Sequence, residues 1–197
     1  MRIYKILYTV LAPLFKLVYR IKVTGKENIP DGATVVCANH TSLLDPIFLC
    51  ITFGKKELLS FMAKAELFRV PVIGAVLRAL GAIPVNRGST DISTLRDAIS
   101  RLSDGKKVMI FPEGTRVHTD ADASAAKTGA AMIACRAKVS MLPVYISDKK
   151  RLFGKVEIII GKPIETASFE GSGSAKYKTV VETVFGEILR LGNGGEA

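Results

Sequence analysis

The sequence has no tryptophan, only two histidines and only three cysteines among its 197 residues. Cys37, Cys50 and Cys135 are odd in number, far apart and set in apolar surroundings, with no C-x-x-C pair and no His/Cys cluster. A disulfide-stapled fold and a structural zinc site are therefore excluded, no metal is expected, and free buried thiols in a reducing compartment fit best. There is no G-x-S-x-G elbow, and no cysteine lies in a recognisable nucleophile motif, so a covalent acyl-enzyme is not expected. Acidic residues are few: 18 Asp and Glu stand against 28 Lys and Arg, for a formal net charge of +10. That balance favours an anionic partner. Without tryptophan, and without basic residues interleaved with aromatics, nucleic acid is not expected to be that partner. Repeats, long linkers and a second domain are also missing, and the length suits one full core.

What the chain does have is the octet Asn39-His40-Thr41-Ser42-Leu43-Leu44-Asp45-Pro46. A neutral imidazole can take a proton from a hydroxyl near neutral pH. A carboxylate behind it fixes the tautomer and stabilises the imidazolium as it forms. On one continuous helix, five residues turn the chain by about 140°, so the two side chains would diverge. They meet if His40 ends a strand and Asp45 opens the next helix. The β-prone run Thr34–Ala38 supplies the strand, and Asp45-Pro46 reads as an N-cap followed by proline at the first helical position. By itself the spacing also fits a capping aspartate beside a loop histidine.

The remaining pattern alternates strands and helices. Strands are expected over 34–38, 58–63, 82–85, 107–111, 140–146 and 156–160. Helices are expected over about 46–53, 71–80, 91–102, 129–138 and 175–191, the last followed by a glycine-rich tail. Such alternation predicts an α/β fold: a single domain with a mixed, largely parallel sheet covered by helices.

Hydrophobic residues make up 48% of the chain, high for a freely soluble protein, and they concentrate in the N-terminal segment and in Leu67–Ile83. Over residues 2–21, a helical wheel gathers Arg2, Lys5, Thr9, Lys16 and Arg20 within about 60°, with nearly everything else apolar. Pro13 is expected to kink or break this helix. A signal peptide does not fit, because the charges recur and no small-residue cleavage site follows. A spanning helix is possible on length, but Lys16 near its middle costs about 2.5–3.5 kcal/mol. A basic amphipathic helix lying in the bilayer interface uses every feature. A helix packed on the domain core is the alternative. Residues 1–21 are thus read as a membrane-interface helix and 22–197 as the catalytic domain, on an anionic membrane surface.

Three further blocks follow the histidine block: Gly81–Arg87 (GAIPVNR), Phe111–Arg116 (FPEGTR) and Met141–Val144 (MLPV). In that order and spacing, the four blocks resemble the glycerolipid acyltransferases, closest to the bacterial 1-acylglycerol-3-phosphate acyltransferases. The resemblance runs from about Gly25 to Pro163. It implies that His40 is the general base and Asp45 its orienting partner. It implies an acceptor site made of Arg87, Glu113, Gly114, Thr115, Arg116 and Lys127, with the cations on the acceptor phosphate. A guanidinium fork suits phosphate oxygens, and Glu113 beside arginines should stay ionised. Pro143 should end a strand lining the acyl pocket, and backbone N–H groups near the histidine turn or the third block are candidates to hold the oxyanion. The implied reaction moves a fatty acyl group from acyl-CoA or acyl-carrier protein, as substrate and with no cofactor, to a membrane lipid acceptor. The implied location is the cytoplasmic face of the cell membrane, peripheral or monotopic. Ala126 stands where relatives carry an aromatic residue. Other readings are a different lyso-lipid or glycerol 3-phosphate as acceptor, a non-catalytic lipid-binding module, or a hydrolase using His40 and His118, the latter beside Asp120 and Asp122.

Overall fold

The computed structural model describes residues 2–57, 59–86, 92–114 and 126–195. Among the described residues, seven strands form one sheet: β1 (Arg20–Thr24), β2 (Val35–Ala38), β3 (Leu59–Lys64), β4 (Ile83–Val85), β5 (Lys107–Ile110), β6 (Met141–Ile146) and β7 (Lys155–Ile160). Their order is β1-β7-β6-β2-β5-β3-β4. Every neighbouring pair is parallel except β6–β7. Among the described residues, six α-helices accompany it: α1 (Arg2–Val18), α2 (Asp45–Phe53), α3 (Pro71–Ala79), α4 (Ile92–Ser103), α5 (Gly129–Ala137) and α6 (Gly173–Gly192).

Central strands β2 and β5 are short, buried on both faces and apolar apart from Lys107, as a parallel sheet requires. Their two-residue period divides the core in two. Val35, Cys37, Val108 and Ile110 point to the cluster made with α4, α5 and α6. Val36, Ala38 and Met109 point to the cluster made with α2 and the end of α1, where Phe48 packs edge-on against Phe15 and Tyr19. Helices therefore cover both faces, and the expected fold class is the one observed.

The N-terminus differs in detail from expectation. α1 stops at Val18, and Arg20 belongs to edge strand β1, so Arg20 is not part of the helical stripe. Pro13 lies inside the assigned helix and does not end it. Tyr4 is buried, its hydroxyl donating to the carbonyls of Gly54 and Glu57, and Tyr8 donates to Ile51 O. One face of α1 is thus packed on α2. Another is apolar and open: Ile3, Ile6, Val10, Leu14 and Leu17 are all exposed, Leu17 by 77%. At about 100° per residue these five fall within an arc of about 80°, with Lys5 and Lys16 between them and the packed face. The core-packed reading describes the packed face; the opposite face is apolar and exposed. Among the described residues no helix is long and apolar enough to cross a membrane.

Candidate active site

Strand β2 ends by borrowing a side chain. Beyond the Ala38–Val144 pairing, Asn39 Nδ2 donates to Ile146 O and Ile146 N–H donates to Asn39 Oδ1, both at 2.8 Å. The amide thus continues the β2–β6 ladder while the backbone leaves it. His40 follows at once, and residues 40–44 turn into α2.

Asp45 opens α2 with Leu44 as its N-cap, one residue earlier than the sequence pattern suggests. Its carboxylate faces back over the turn, not along the helix. Oδ2 accepts from Thr41 N–H at 2.9 Å and Ser42 N–H at 2.7 Å, and lies 3.0 Å from His40 Nδ1. Capping and base orientation are therefore one arrangement: the aspartate that holds the loop also holds the imidazole. With Nδ1 engaged, Nε2 is left for the cavity that His40 lines. Phe111 stacks on the ring, centroids 4.0 Å apart and planes 16° apart. Burial alone would push the Asp45 carboxyl up. Hydrogen bonds from His40, Lys150 and Ser42, with the Lys150 charge, outweigh it and hold the group below its ordinary range.

Lys150 is the member that sequence reasoning missed. It comes from the β6–β7 connection, and its Nζ lies 2.8 Å from Asp45 Oδ1 and donates to Thr41 Oγ1 at 2.7 Å. No local motif marks it; only the fold brings it to the turn.

Glu113 sits in the turn after β5, where its Oε2 accepts the His40 backbone N–H at 3.3 Å. Burial, with repulsion from Asp45 and Asp148 against the pull of that N–H, raises its carboxyl to about 7. The arginines expected to keep it ionised, Arg87 and Arg116, lie outside the described residues. The N–H groups of His40, Thr41 and Ser42 are all engaged by Glu113 and Asp45, and Gly114 N–H is bonded to Phe111 O. These N–H groups are bonded within the protein. Gly114 has φ 71°, and a β-carbon there would come within 2.9 Å of Lys127 Nζ. The lysine thus crosses the glycine, and its own N–H bonds Pro112 O.

Beside these groups lies a cavity of about 680 Å³, within the ~300–1,000 Å³ range of small-molecule sites. Leu43, Phe61, Leu67, Leu77, Leu95, Ile110 and Met132 make its walls apolar, and His40, Lys64, Gly114 and Lys127 border it. β6 does not line it: Met141, Leu142 and Val144 are core residues, so Pro143 does not end a pocket-lining strand. Burial pushes the Cys37 and Cys50 thiols up, Cys50 to about 12, which leaves neither as a thiolate nucleophile. Arg87, Thr115, Arg116 and His118 with its neighbouring aspartates lie outside the described residues.

Residues 20–147 match the family model described as Acyltransferase. A 1-acyl-sn-glycerol-3-phosphate acyltransferase of Bacillus subtilis is 35% identical over 172 residues, covering 84% of each chain. The protein of that name from Streptococcus pneumoniae is 30% identical, covering 85% of this chain and 64% of its own. The crystal structure of the 1-acyl-sn-glycerophosphate acyltransferase PlsC from Thermotoga maritima superposes with a TM-score of 0.68 at 29% identity, covering 96% of this chain and 79% of its own. The chain belongs to the acyltransferase family.

Proposed function

We propose that the protein transfers a fatty acyl group from a thioester donor, acyl-CoA or acyl-carrier protein, to the free hydroxyl of 1-acylglycerol 3-phosphate, giving phosphatidate. The observation that carries this is the His40–Asp45 pair, 3.0 Å apart, bordering an apolar cavity with a lysine at its edge. His40 Nε2 takes the hydroxyl proton as the oxygen bonds to the acyl carbon. Collapse of the tetrahedral adduct breaks the C–S bond, and the imidazolium returns the proton to the thiolate. Asp45 holds the tautomer and offsets the imidazolium charge.

The acceptor phosphate is assigned to Arg87, Arg116 and Lys127, with Gly114 and Thr115 as further acceptor-site residues. Lys127 directly precedes the N-terminus of α5, whose first-turn N–H groups favour an anion. Glu113 braces the histidine turn from that side. Supporting the reading are the names of the relatives, each a 1-acyl-sn-glycerol-3-phosphate acyltransferase.

The acceptor is an amphiphile, and the open apolar face of α1 suits a peripheral position on an anionic membrane, on its cytoplasmic side. The β6–β7 turn adds to that face. Leu152 and Phe153 are 70% and 67% exposed, and Phe153 N–H is bonded to Val18 O at the end of α1. The test is purified protein with a panel of lyso-acceptors and glycerol 3-phosphate, against acyl-CoA and acyl-carrier protein, with products read by mass spectrometry. Phosphatidate from the lysophosphatidate arm is expected. Faster acylation of a phosphate-free acceptor would overturn the assignment.

A further inference from the structure

We infer that Lys150 is a positioning residue of the active site: it clamps Asp45 and Thr41 together and so sets the orientation of the carboxylate that holds His40. The inference rests on the reading of His40 and Asp45 as the catalytic pair. Asp45 is fully buried and has two oxygens to satisfy. Oδ2 takes three contacts from the histidine turn, and Oδ1 faces Lys150 Nζ at 2.8 Å. The lysine side chain is only 4% exposed, although lysine is almost never buried without a partner. A buried ammonium is tolerated where an opposite charge and further acceptors meet it. Here the Asp45 carboxylate is the ion-pair partner, with Oδ1 at 2.8 Å, and Thr41 Oγ1 accepts a hydrogen bond at 2.7 Å. Both belong to the histidine turn. Neither contact reaches the reacting atoms, and Lys150 is not among the residues that line the cavity.

Two consequences follow from its position. Geometrically, the ammonium fixes one carboxylate oxygen, so the other cannot swing away from Nδ1. Misplacement of a catalytic group by about 1 Å can cost about 10²-fold in rate. Electrostatically, Lys150 offsets the charge of Asp45 in a neighbourhood that also holds Glu113 and Asp148. Without it, the carboxyl is more easily protonated, and a protonated carboxyl no longer stabilises the imidazolium.

The test compares Lys150→Met, Lys150→Gln and Lys150→Arg as full-length proteins, with melting curves as the control for folding. The Met and Gln variants should lose about 10- to 100-fold in kcat, with KM for the acceptor within about twofold. The acid limb of their kcat/KM profile should move to higher pH, and Lys150→Arg should restore its position. On an Asp45→Asn background, removing Lys150 should cost less than about threefold, because the residue it acts through is already disabled. A rise in KM at unchanged kcat would overturn the inference by making Lys150 a substrate-binding group. An equal loss on both backgrounds, or an unmoved pH profile, would overturn it by making the lysine merely structural. A readout without substrate separates this from the proposed reaction: the ¹³C carboxyl resonance of Asp45 should titrate at higher pH in Lys150→Gln than in the wild type. If the wild type acylates no lyso-acceptor, the proposed function fails, while the titration still decides whether Lys150 controls Asp45.

Discussion

The imidazole of His40 lies flat on the ring of Phe111, with centroids 4.0 Å apart, while its edge meets Asp45. Two chain segments far apart in sequence therefore fix one ring in two directions. The stack sets its plane, and the hydrogen bond sets its rotation within that plane.

His40→Ala should lower kcat by about 10²–10⁴-fold with little change in melting temperature, because general-base assistance has that size. Asp45→Asn should lose a large part of the same factor and also destabilise the turn, since Oδ2 serves two backbone N–H groups. Steady-state kinetics beside thermal melts test both. Retention of more than about a tenth of the wild-type rate by His40→Ala would sink the mechanism.

Phe111→Leu should keep the cavity wall apolar but remove the flat face under the imidazole. A fall in kcat of about tenfold is expected, with KM for the acyl donor changing less. Wild-type kcat in this variant would show that Asp45 alone suffices to orient the base.

Glu113 has a testable pH signature. Its carboxyl is raised from the ordinary 4.5 to about 7 by burial and by repulsion from Asp45 and Asp148. Between those two values the folded protein holds a proton that the unfolded chain has lost. This group's contribution to stability is therefore fully present below about pH 4.5 and is lost as pH rises through about 7. Glu113→Gln cannot ionise and should flatten this part of the stability profile, as urea melts at a series of pH values would reveal. An unchanged slope between wild type and variant would refute the shift.

Gly114→Ala should act on Lys127. The position has φ 71°, which strains any β-carbon, and the new methyl would press on the lysine amine. KM for lysophosphatidate should rise at least tenfold, and Lys127→Met should cost less when added to Gly114→Ala than alone. Additive effects would separate the glycine from the lysine.

Much of this was legible in the sequence because the signals were local. Strands β2, β5 and β6 are short apolar runs bounded by turn residues, and the His40–Asp45 spacing forecast a strand-to-helix turn. Strand β1 was not legible: Arg20-Ile21-Lys22-Val23-Thr24 alternates as an edge strand does, but it follows a helical pattern with no glycine or capping residue between them. Lys150 was invisible for another reason. Lysine in a polar turn is ordinarily solvated, and only the β6–β7 hairpin carries this one to Asp45. The engagement of the His40 N–H likewise depends on Glu113, which the fold brings from the turn after β5.

The last prediction concerns the open face of α1. Ile3, Ile6, Val10, Leu14 and Leu17 face outward while Tyr4 and Ala12 are buried on the other side. Polar substitution of Val10 and Leu14 should therefore leave the melting temperature unchanged. It should weaken binding to vesicles by at least tenfold, because burying an aliphatic side chain contributes about 1.5–3 kcal/mol and about 1.4 kcal/mol is a factor of ten. Lys5→Glu with Lys16→Glu should act differently. Each cation near an anionic surface contributes about 1 kcal/mol, screened by salt. Binding should fall steeply on anionic vesicles, little on neutral ones, and the difference should vanish at high salt. Flotation across a salt series separates the two effects. If the Val10/Leu14 variant binds as the wild type does, the open face does not enter the bilayer. If it unfolds instead, the face is part of the protein's own core.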